Sequence, residues 1–178
     1  MDASSAFQDS LPVSSDALLA LFQEWGIDYR LFHHVPFRTV ADAKEVEHDM
    51  MAEGETAFLT KNLYLRDRKK RNYLVTLDQD RDVDLKALGQ ALGVGGLSFG
   101  SADRLLEYLG IRPGAVSPLS MINGAKAGVT FILDPAARDA DVLFFHPLVN
   151  DRTVAITLAD LEVIFGHYGA EITWLPDL

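Results

Sequence analysis

The sequence predicts an α+β fold: a single domain with a mixed, mainly antiparallel, barrel-like sheet surrounded by helices. Three observations carry this. Two pairs of β-rich runs are joined by short turns, one across the charged stretch Arg68 to Arg71 and one across Asn150-Asp151, which is the pattern of antiparallel hairpins. Five helical runs each follow a capping residue, at Ser14 or Ser15, Thr39, Asp84, Ser101 and Thr157. Neither an internal repeat nor a linker divides the 178 residues, a length that suits one domain with a proper core.

Taken in order, residues 1 to 12 are small and polar and are expected to fray, leaving 13 to 178 as the domain. Leu18, Leu19, Leu21, Phe22 and Trp25 follow helical spacing, and Gly26 ends that helix. Tyr29 to His33 reads as a strand. Thr39 with Asp42 three residues later is a variant capping box that opens a helix to about Glu47, and Met50 to Glu55 reads as loop. Thr56 to Asp67 and Asn72 to Leu77 form the first hairpin. Asp84 caps Leu85 to Leu92, a short strand follows at Leu97 to Phe99, and Ser101 caps a helix through Leu109. Gly128 to Leu133, Val142 to Phe145 and Arg152 to Ile156 are strands. Thr157 opens a helix with Leu158, Leu161, Ile164 and Phe165 on one face, and Ala170 to Trp174 closes the chain.

Between these elements lies a loop rich in backbone specialists, Gly110 to Ser120. Gly110 and Gly114 tolerate positive φ, while Pro113 and Pro118 fix φ and push Arg112 and Ser117 away from helix. Such a loop is either a plain helix exit with a Pro-Gly turn or a rigid cradle that holds peptide groups towards a ligand.

Composition narrows the function classes. A formal charge of −10 argues against a broad nucleic-acid surface, DNA included, because phosphate affinity comes from clustered Lys and Arg. The charge is uneven: residues 1 to 60 carry 3 basic and 11 acidic side chains, whereas 61 to 71 hold 6 basic residues against Asp67 alone. A polyanion would therefore have to be gripped locally. The absence of cysteine removes thiolate chemistry and fits a reducing cytoplasm. No signal-peptide pattern and no apolar run near the roughly 18 residues of a membrane span is present, so neither secretion by that route nor a membrane partner is expected.

Several motifs fail. Asp78 to Asp82 mimics a calcium loop, but Val83 and Gly89 stand where Gly and Glu are needed. Gly93 to Ser98 lacks the third glycine of a dinucleotide fingerprint. His33, His34, His48, His146 and His167 show no metal-ligand spacing on one helix, and no Gly-x-Ser-x-Gly elbow exists, so no metal or cofactor is expected.

Three features survive. Lys61, in Thr60-Lys61-Asn62, sits in an apolar strand, where a lysine either points to solvent or serves a charged ligand. His146, at the end of an apolar strand and followed by Pro147, is either a satisfied structural histidine or a placed donor. The third feature is the Gly114 to Pro118 loop.

Together these segments resemble the prolyl-tRNA editing domains, found inserted in bacterial prolyl-tRNA synthetases (the YbaK/ProRS type) and as free-standing deacylases. The resemblance runs from about His34 to the C-terminus. It rests on His34-x-Pro36-x-x-Thr39, on Thr60-Lys61-Asn62-Leu63-Tyr64-Leu65-Arg66-Asp67, on Gly114-x-x-x-Pro118 and on His146-Pro147-Leu148-x-Asn150-x-x-Thr153. The Lys61-Asn62 and His146-Pro147-Leu148 matches look most like the free-standing ProXp-ala branch, which clears alanine from the proline tRNA.

The resemblance implies hydrolysis of the ester between a wrong amino acid and the tRNA 3′-terminal ribose, with the acceptor end of proline tRNA as partner and prolyl-tRNA synthetase as a second one. By that likeness Gly114, Ala115 and Ser117 offer backbone contacts around ester and water, and Pro118 holds their shape. Lys61 meets the terminal phosphate or ribose, and Asn62 and His146 fix the acyl-adenosine end, with Thr39 and Asn150 assigned to the substrate site. An aminoacyl ester is already activated, so water needs little beyond positioning and a stabilised oxyanion, which matches the lack of a nucleophile constellation. Arg66, Arg68, Lys69, Lys70 and Arg71, at the hairpin tip, are either solvated charges or contacts to tRNA phosphates. Val40, Phe58 and Phe145 are candidate walls of a size-excluding pocket, with core packing as the alternative for each. A cysteinyl or other small acyl substrate, a non-catalytic tRNA-end binder and a protein-interaction domain are the competing readings.

Overall fold

The computed structural model describes residues 1–37 and 39–178, and for Val40 the backbone alone. Helices α1 (Ser15–Glu24), α2 (Val40–Met50), α3 (Leu85–Ala91), α4 (Ala102–Leu109), α5 (Met121–Gly124) and α6 (Leu158–Tyr168) alternate irregularly with the strands. These are β1 (Arg30–His33), β2 (Ala57–Phe58), β3 (Thr60–Arg66), β4 (Asn72–Asp78), β5 (Ser98–Phe99), β6 (Thr130–Leu133), β7 (Val142–Phe145), β8 (Arg152–Ile156) and β9 (Thr173–Trp174). The α+β class is as expected. The strands, however, do not close a barrel: they form two sheets, ordered β1-β8-β7-β2 and β5-β3-β4-β6-β9. The β1–β8, β3–β4, β3–β5 and β7–β8 pairings are antiparallel, and β2–β7, β4–β6 and β6–β9 are parallel.

The reason for two sheets lies at Leu59. The Thr56 to Asp67 run, which reads as one strand, is cut there into β2, which pairs with β7, and β3, which pairs with β4. The chain thus passes from one sheet to the other in a single residue, and Thr60 Oγ1 donates to the Phe144 carbonyl at 3.2 Å to tie the two together. The cleft that opens at this crossing is where the site forms. Strand β4, from Tyr73 to Leu77, is buried on both faces, which accounts for an apolar run broken only by Thr76, whose hydroxyl is paired with Asn62.

The caps behave as expected. Ser14, Thr39, Asp84, Ser101 and Thr157 each accept a hydrogen bond from a first-turn amide, and Thr39–Asp42 and Thr157–Asp160 are complete capping boxes. Gly110 and Gly169 end α4 and α6 in the left-handed region. Helix α2 runs on to Met50, beyond the expected Glu47, and α5 was not anticipated.

The first residues, expected to fray, are placed against the body of the molecule. Ala3 is buried and its carbonyl accepts from the Asn150 amide at 2.9 Å. The Ser5 hydroxyl donates to Asp151 at 2.6 Å, and Ser5 to Ser10 forms a 3-10 helix. The largest core cluster gathers Leu18 and Phe22 of α1, Leu74 of β4, Phe131 of β6, Phe145 of β7 and Phe165 of α6. No helix among the described residues is long and apolar enough to cross a membrane.

Candidate functional site

A cavity of about 430 Å³ lies at the crossing between the sheets. Its lining comes from six segments: Phe37, Thr39, Ala43 and Glu47 of the α2 region; Thr60, Lys61 and Asn62 at the start of β3; Gln79 just after β4; Gly114 and Val116 of the loop; Phe144, Phe145 and His146 at the end of β7; and Thr153 of β8. Residues distant in sequence, among them Lys61, Asn62, Gly114 and His146, thus border one space.

The strand pairing explains how Asn62 is held. It lies opposite Thr76 in the β3–β4 register, and Thr76 Oγ1 donates to Asn62 Oδ1 at 2.6 Å. The Asn62 amide nitrogen then reaches Thr60 Oγ1 at 3.3 Å, so the side chain is fixed at both ends. Lys61 is half-buried and donates from Nζ to the Arg81 carbonyl. Arg81 is itself clamped by two hydrogen bonds to buried Asp134, at 2.7 and 3.2 Å. An ammonium has three donors, so two remain for a ligand.

The His146 ring is held by Nδ1, which donates to the Arg152 carbonyl at 2.7 Å. This assigns the proton to Nδ1 and leaves Nε2 as an acceptor. Burial pulls its pKa down to about 4, with the nearby His34 acting in the same sense. At neutral pH the imidazole is therefore uncharged. His34 stacks on Phe37 with ring centroids 4.5 Å apart, and its Nε2 meets Thr153 Oγ1 at 2.8 Å; the two histidine rings are 6.0 Å apart. These contacts give His34 and Thr153, both within the sequence motifs, a role in building the rim.

The loop presents only part of what the sequence suggested. Gly114, at φ +98°, and Val116 border the cavity, whereas Ala115, Ser117 and Pro118 are buried away from solvent and are not in its lining. The Ala115 amide donates to the Arg112 carbonyl at 3.1 Å. Ser117 Oγ accepts from the Leu119 amide, and its carbonyl accepts from the Ser120 hydroxyl at 2.6 Å. Ser117 is thus the cap of the 3-10 turn Pro118–Ser120, which holds the loop's shape. Among the described residues, the Gly114 and Val116 amides have no protein acceptor. Asn150 is outside the lining; its Nδ2 lies 3.3 Å from where a Cβ on Gly114 would sit, so it backs the loop.

Of the expected walls, Phe145 borders the cavity, Phe58 belongs to the core, and the Val40 side chain lies outside the described residues. The sequence reading missed Glu47, Gln79 and Val116. For Glu47 a signal was present: Thr39, Ala43 and Glu47 are spaced by four and so share one helix face.

At the far end of β3, Arg71 is engaged by Asp67 through Nε at 2.7 Å, and Arg66 Nε reaches the Lys70 carbonyl at 3.4 Å. The Arg68 stem packs against Gly96, where a Cβ would come within 2.5 Å of it. Arg68, Lys69 and Lys70 are exposed. None of these five borders the cavity.

Comparison with known proteins supplies the family. Residues 34–164 match the model of the aminoacyl-tRNA editing domain. The chain belongs to the aminoacyl-tRNA editing domain family. By class, an editing domain of this family is a hydrolase of aminoacyl-tRNA esters. The prolyl-tRNA editing protein ProX of Acetoanaerobium sticklandii is 36% identical over 157 residues, covering 88% of this chain and 93% of that protein. The mouse prolyl-tRNA synthetase associated domain-containing protein 1 is 39% identical over 115 residues, 62% of this chain and 68% of that one. A solved structure of a candidate trans-editing enzyme for prolyl-tRNA synthetase superposes with a TM-score of 0.65 at 16% identity over 92% of this chain and 97% of its own, a likeness of fold. The editing-domain match spans every segment that lines the cavity.

Proposed function

We propose that this editing domain acts in trans, in the cytoplasm, on mischarged proline tRNA, and that alanine is the acyl group it removes. The observation that supports this best is the convergence of Lys61, Asn62, His146 and the Gly114–Val116 loop on one cavity at the sheet crossing. In this reading the 3′-terminal adenosine enters between β3 and β7. Lys61 uses its two spare donors on the terminal phosphate or ribose, and Asn62 orients the ribose. The Gly114 and Val116 amides face the ester carbonyl and stabilise its developing oxyanion as water attacks. A histidine with a pKa of about 4 is too weak a base to carry a proton efficiently at neutral pH. His146 therefore serves as a hydrogen-bond acceptor through Nε2 that positions the acyl-adenosine end.

Selection against proline follows from size. A synthetase cannot strongly reject a smaller side chain, since a missing methylene is worth only about 1–3 kcal/mol, and a second site that admits small acyl groups is the physical remedy. Val116 and Phe145 form the apolar wall here. Arg68, Lys69 and Lys70, set about 15–20 Å along β3 from Lys61 at the rise of a strand, suit acceptor-stem phosphates beyond the single-stranded end. Prolyl-tRNA synthetase, which supplies the mischarged tRNA, is the natural protein partner.

The test is a deacylation panel of alanyl-, cysteinyl-, seryl- and prolyl-tRNA with the wild-type protein and Val116→Ala. Alanyl-tRNA is expected to be cleaved fastest by the wild type and prolyl-tRNA spared, with Val116→Ala admitting proline. Faster release of cysteine would move the assignment to that acyl group. Tight binding of charged tRNA with no release of amino acid would replace the enzyme by a tRNA-end binder.

A further inference from the structure

Glu47 is the one acidic side chain in the described lining of the cavity. It is 7% exposed, and its Oε2 has no hydrogen-bond partner among the described residues. A carboxylate taken out of water without a donor is costly, and native proteins pair such groups or neutralise them. Nothing in the fold requires it: α2 is capped by Thr39 and Asp42, and the four-residue spacing places Glu47 on the cavity face beside Ala43. The other charged side chain of the lining, Lys61, is fastened by Nζ to the Arg81 carbonyl.

We propose that Glu47 is the recognition group for the α-ammonium of the aminoacyl ester, and hence the residue that makes the site select aminoacyl over other acyl esters. The inference rests on the deacylase reading above. An aminoacyl ester carries its cation on the α-carbon, two bonds from the carbonyl carbon, so a site that holds the carbonyl at the Gly114–Val116 loop needs an anion nearby. Glu47 borders the same cavity as that loop and is its one acidic lining residue among the described residues. Burial raises its pKa to about 7, so at neutral pH the carboxyl is only partly ionised in the empty site and an arriving ammonium favours its ionisation.

The experiment compares alanyl-tRNA with lactyl-tRNA, in which a hydroxyl replaces the amine and all else is kept. The wild type is expected to cleave the alanyl ester at least about tenfold faster in kcat/KM, as a charge-assisted hydrogen bond of roughly 1.5–3 kcal/mol requires. In Glu47→Gln, which keeps the shape, the alanyl rate falls while the lactyl rate does not, and the preference falls towards the ratio of the two esters' uncatalysed hydrolysis rates. Glu47→Asp, which keeps the charge, retains a preference for the alanyl ester. Because the readout is a ratio within one protein, partial loss of folded material cancels. A wild type that cleaves both esters equally overturns the proposal, as does a Gln variant that loses both rates in proportion, which would make Glu47 a proton carrier or a structural group. Failure of the wild type to release any acyl group would instead strike the deacylase reading itself.

Discussion

Two glycines separate what the loop owes to backbone conformation from what it owes to the site. Gly114 has φ +98° and Gly128 has φ +76°. Around Gly128 a Cβ would meet nothing within 4 Å, whereas on Gly114 it would lie 3.3 Å from Asn150 Nδ2. An L-residue in the left-handed region costs about 1–2 kcal/mol, and Gly→Ala returns about 0.4–1 kcal/mol by restricting the unfolded chain. Gly128→Ala is therefore expected to lose at most about 1.6 kcal/mol of stability, or roughly 6 °C in Tm, with deacylation unchanged. Gly114→Ala carries the same conformational cost, and must also move Asn150 or the loop by a few tenths of an ångström. That displacement falls on the loop whose Gly114 and Val116 amides are proposed to hold the ester carbonyl, and removal of one oxyanion donor costs about 10²–10³ in kcat. The assays are urea unfolding and single-turnover deacylation of alanyl-tRNA. Full activity in Gly114→Ala at the stability of Gly128→Ala would refute the claim that this loop faces the ester.

Lys61→Ala should retain its fold and lose about ten- to a hundredfold in deacylation rate, the worth of one charge-assisted contact, measured on alanyl-tRNA beside a thermal unfolding control. Neutralising Arg68, Lys69 and Lys70 together should weaken use of full tRNA and flatten its salt dependence, yet leave hydrolysis of an alanyl-adenosine unchanged; an unaltered salt slope would make the tip a solvated hairpin. Glu47 and His146 set opposite pH slopes on stability. The folded pKa of Glu47, about 7, lies above its unfolded value of 4.5, so its contribution is complete below pH 4.5 and is lost as pH rises through 7. That of His146, about 4, lies below its unfolded 6.5, so its contribution is complete above pH 6.5 and is lost as pH falls through 4. Between pH 4.5 and 6.5 the two oppose, each by at most about 3 kcal/mol, so Glu47→Gln should gain stability relative to wild type as pH rises from 4.5 to 7. Parallel stability curves for variant and wild type would show that Glu47 is not held neutral by the fold.

Local chemistry was legible from the chain alone because its causes are local. Ser14, Thr39, Asp84, Ser101 and Thr157 cap their helices through side chains that reach amides two or three residues away, and the hairpin of β3 and β4 follows from alternation around a charged tip. The motif segments carrying Lys61, Asn62, Gly114 and His146 were also identifiable, since backbone specialists and a cation in an apolar strand stand out in one dimension.

What tertiary structure decided was which way things face and what meets what. The break at Leu59 that splits one β-rich run between two sheets carries no turn signal such as Gly or Pro; it exists because β7 and β4 offer separate edges. The assignment of Gly114 and Val116 to the cavity, and of Ala115 and Ser117 to the interior, depends on how the 3-10 turn packs, which no propensity records. In sequence Glu47 stands only at the expected end of the helix that Thr39 opens. Only packing of α2 over the sheet crossing takes its carboxyl out of water, and that burial, a property of the whole fold, turns an ordinary surface residue into the acidic wall of the site.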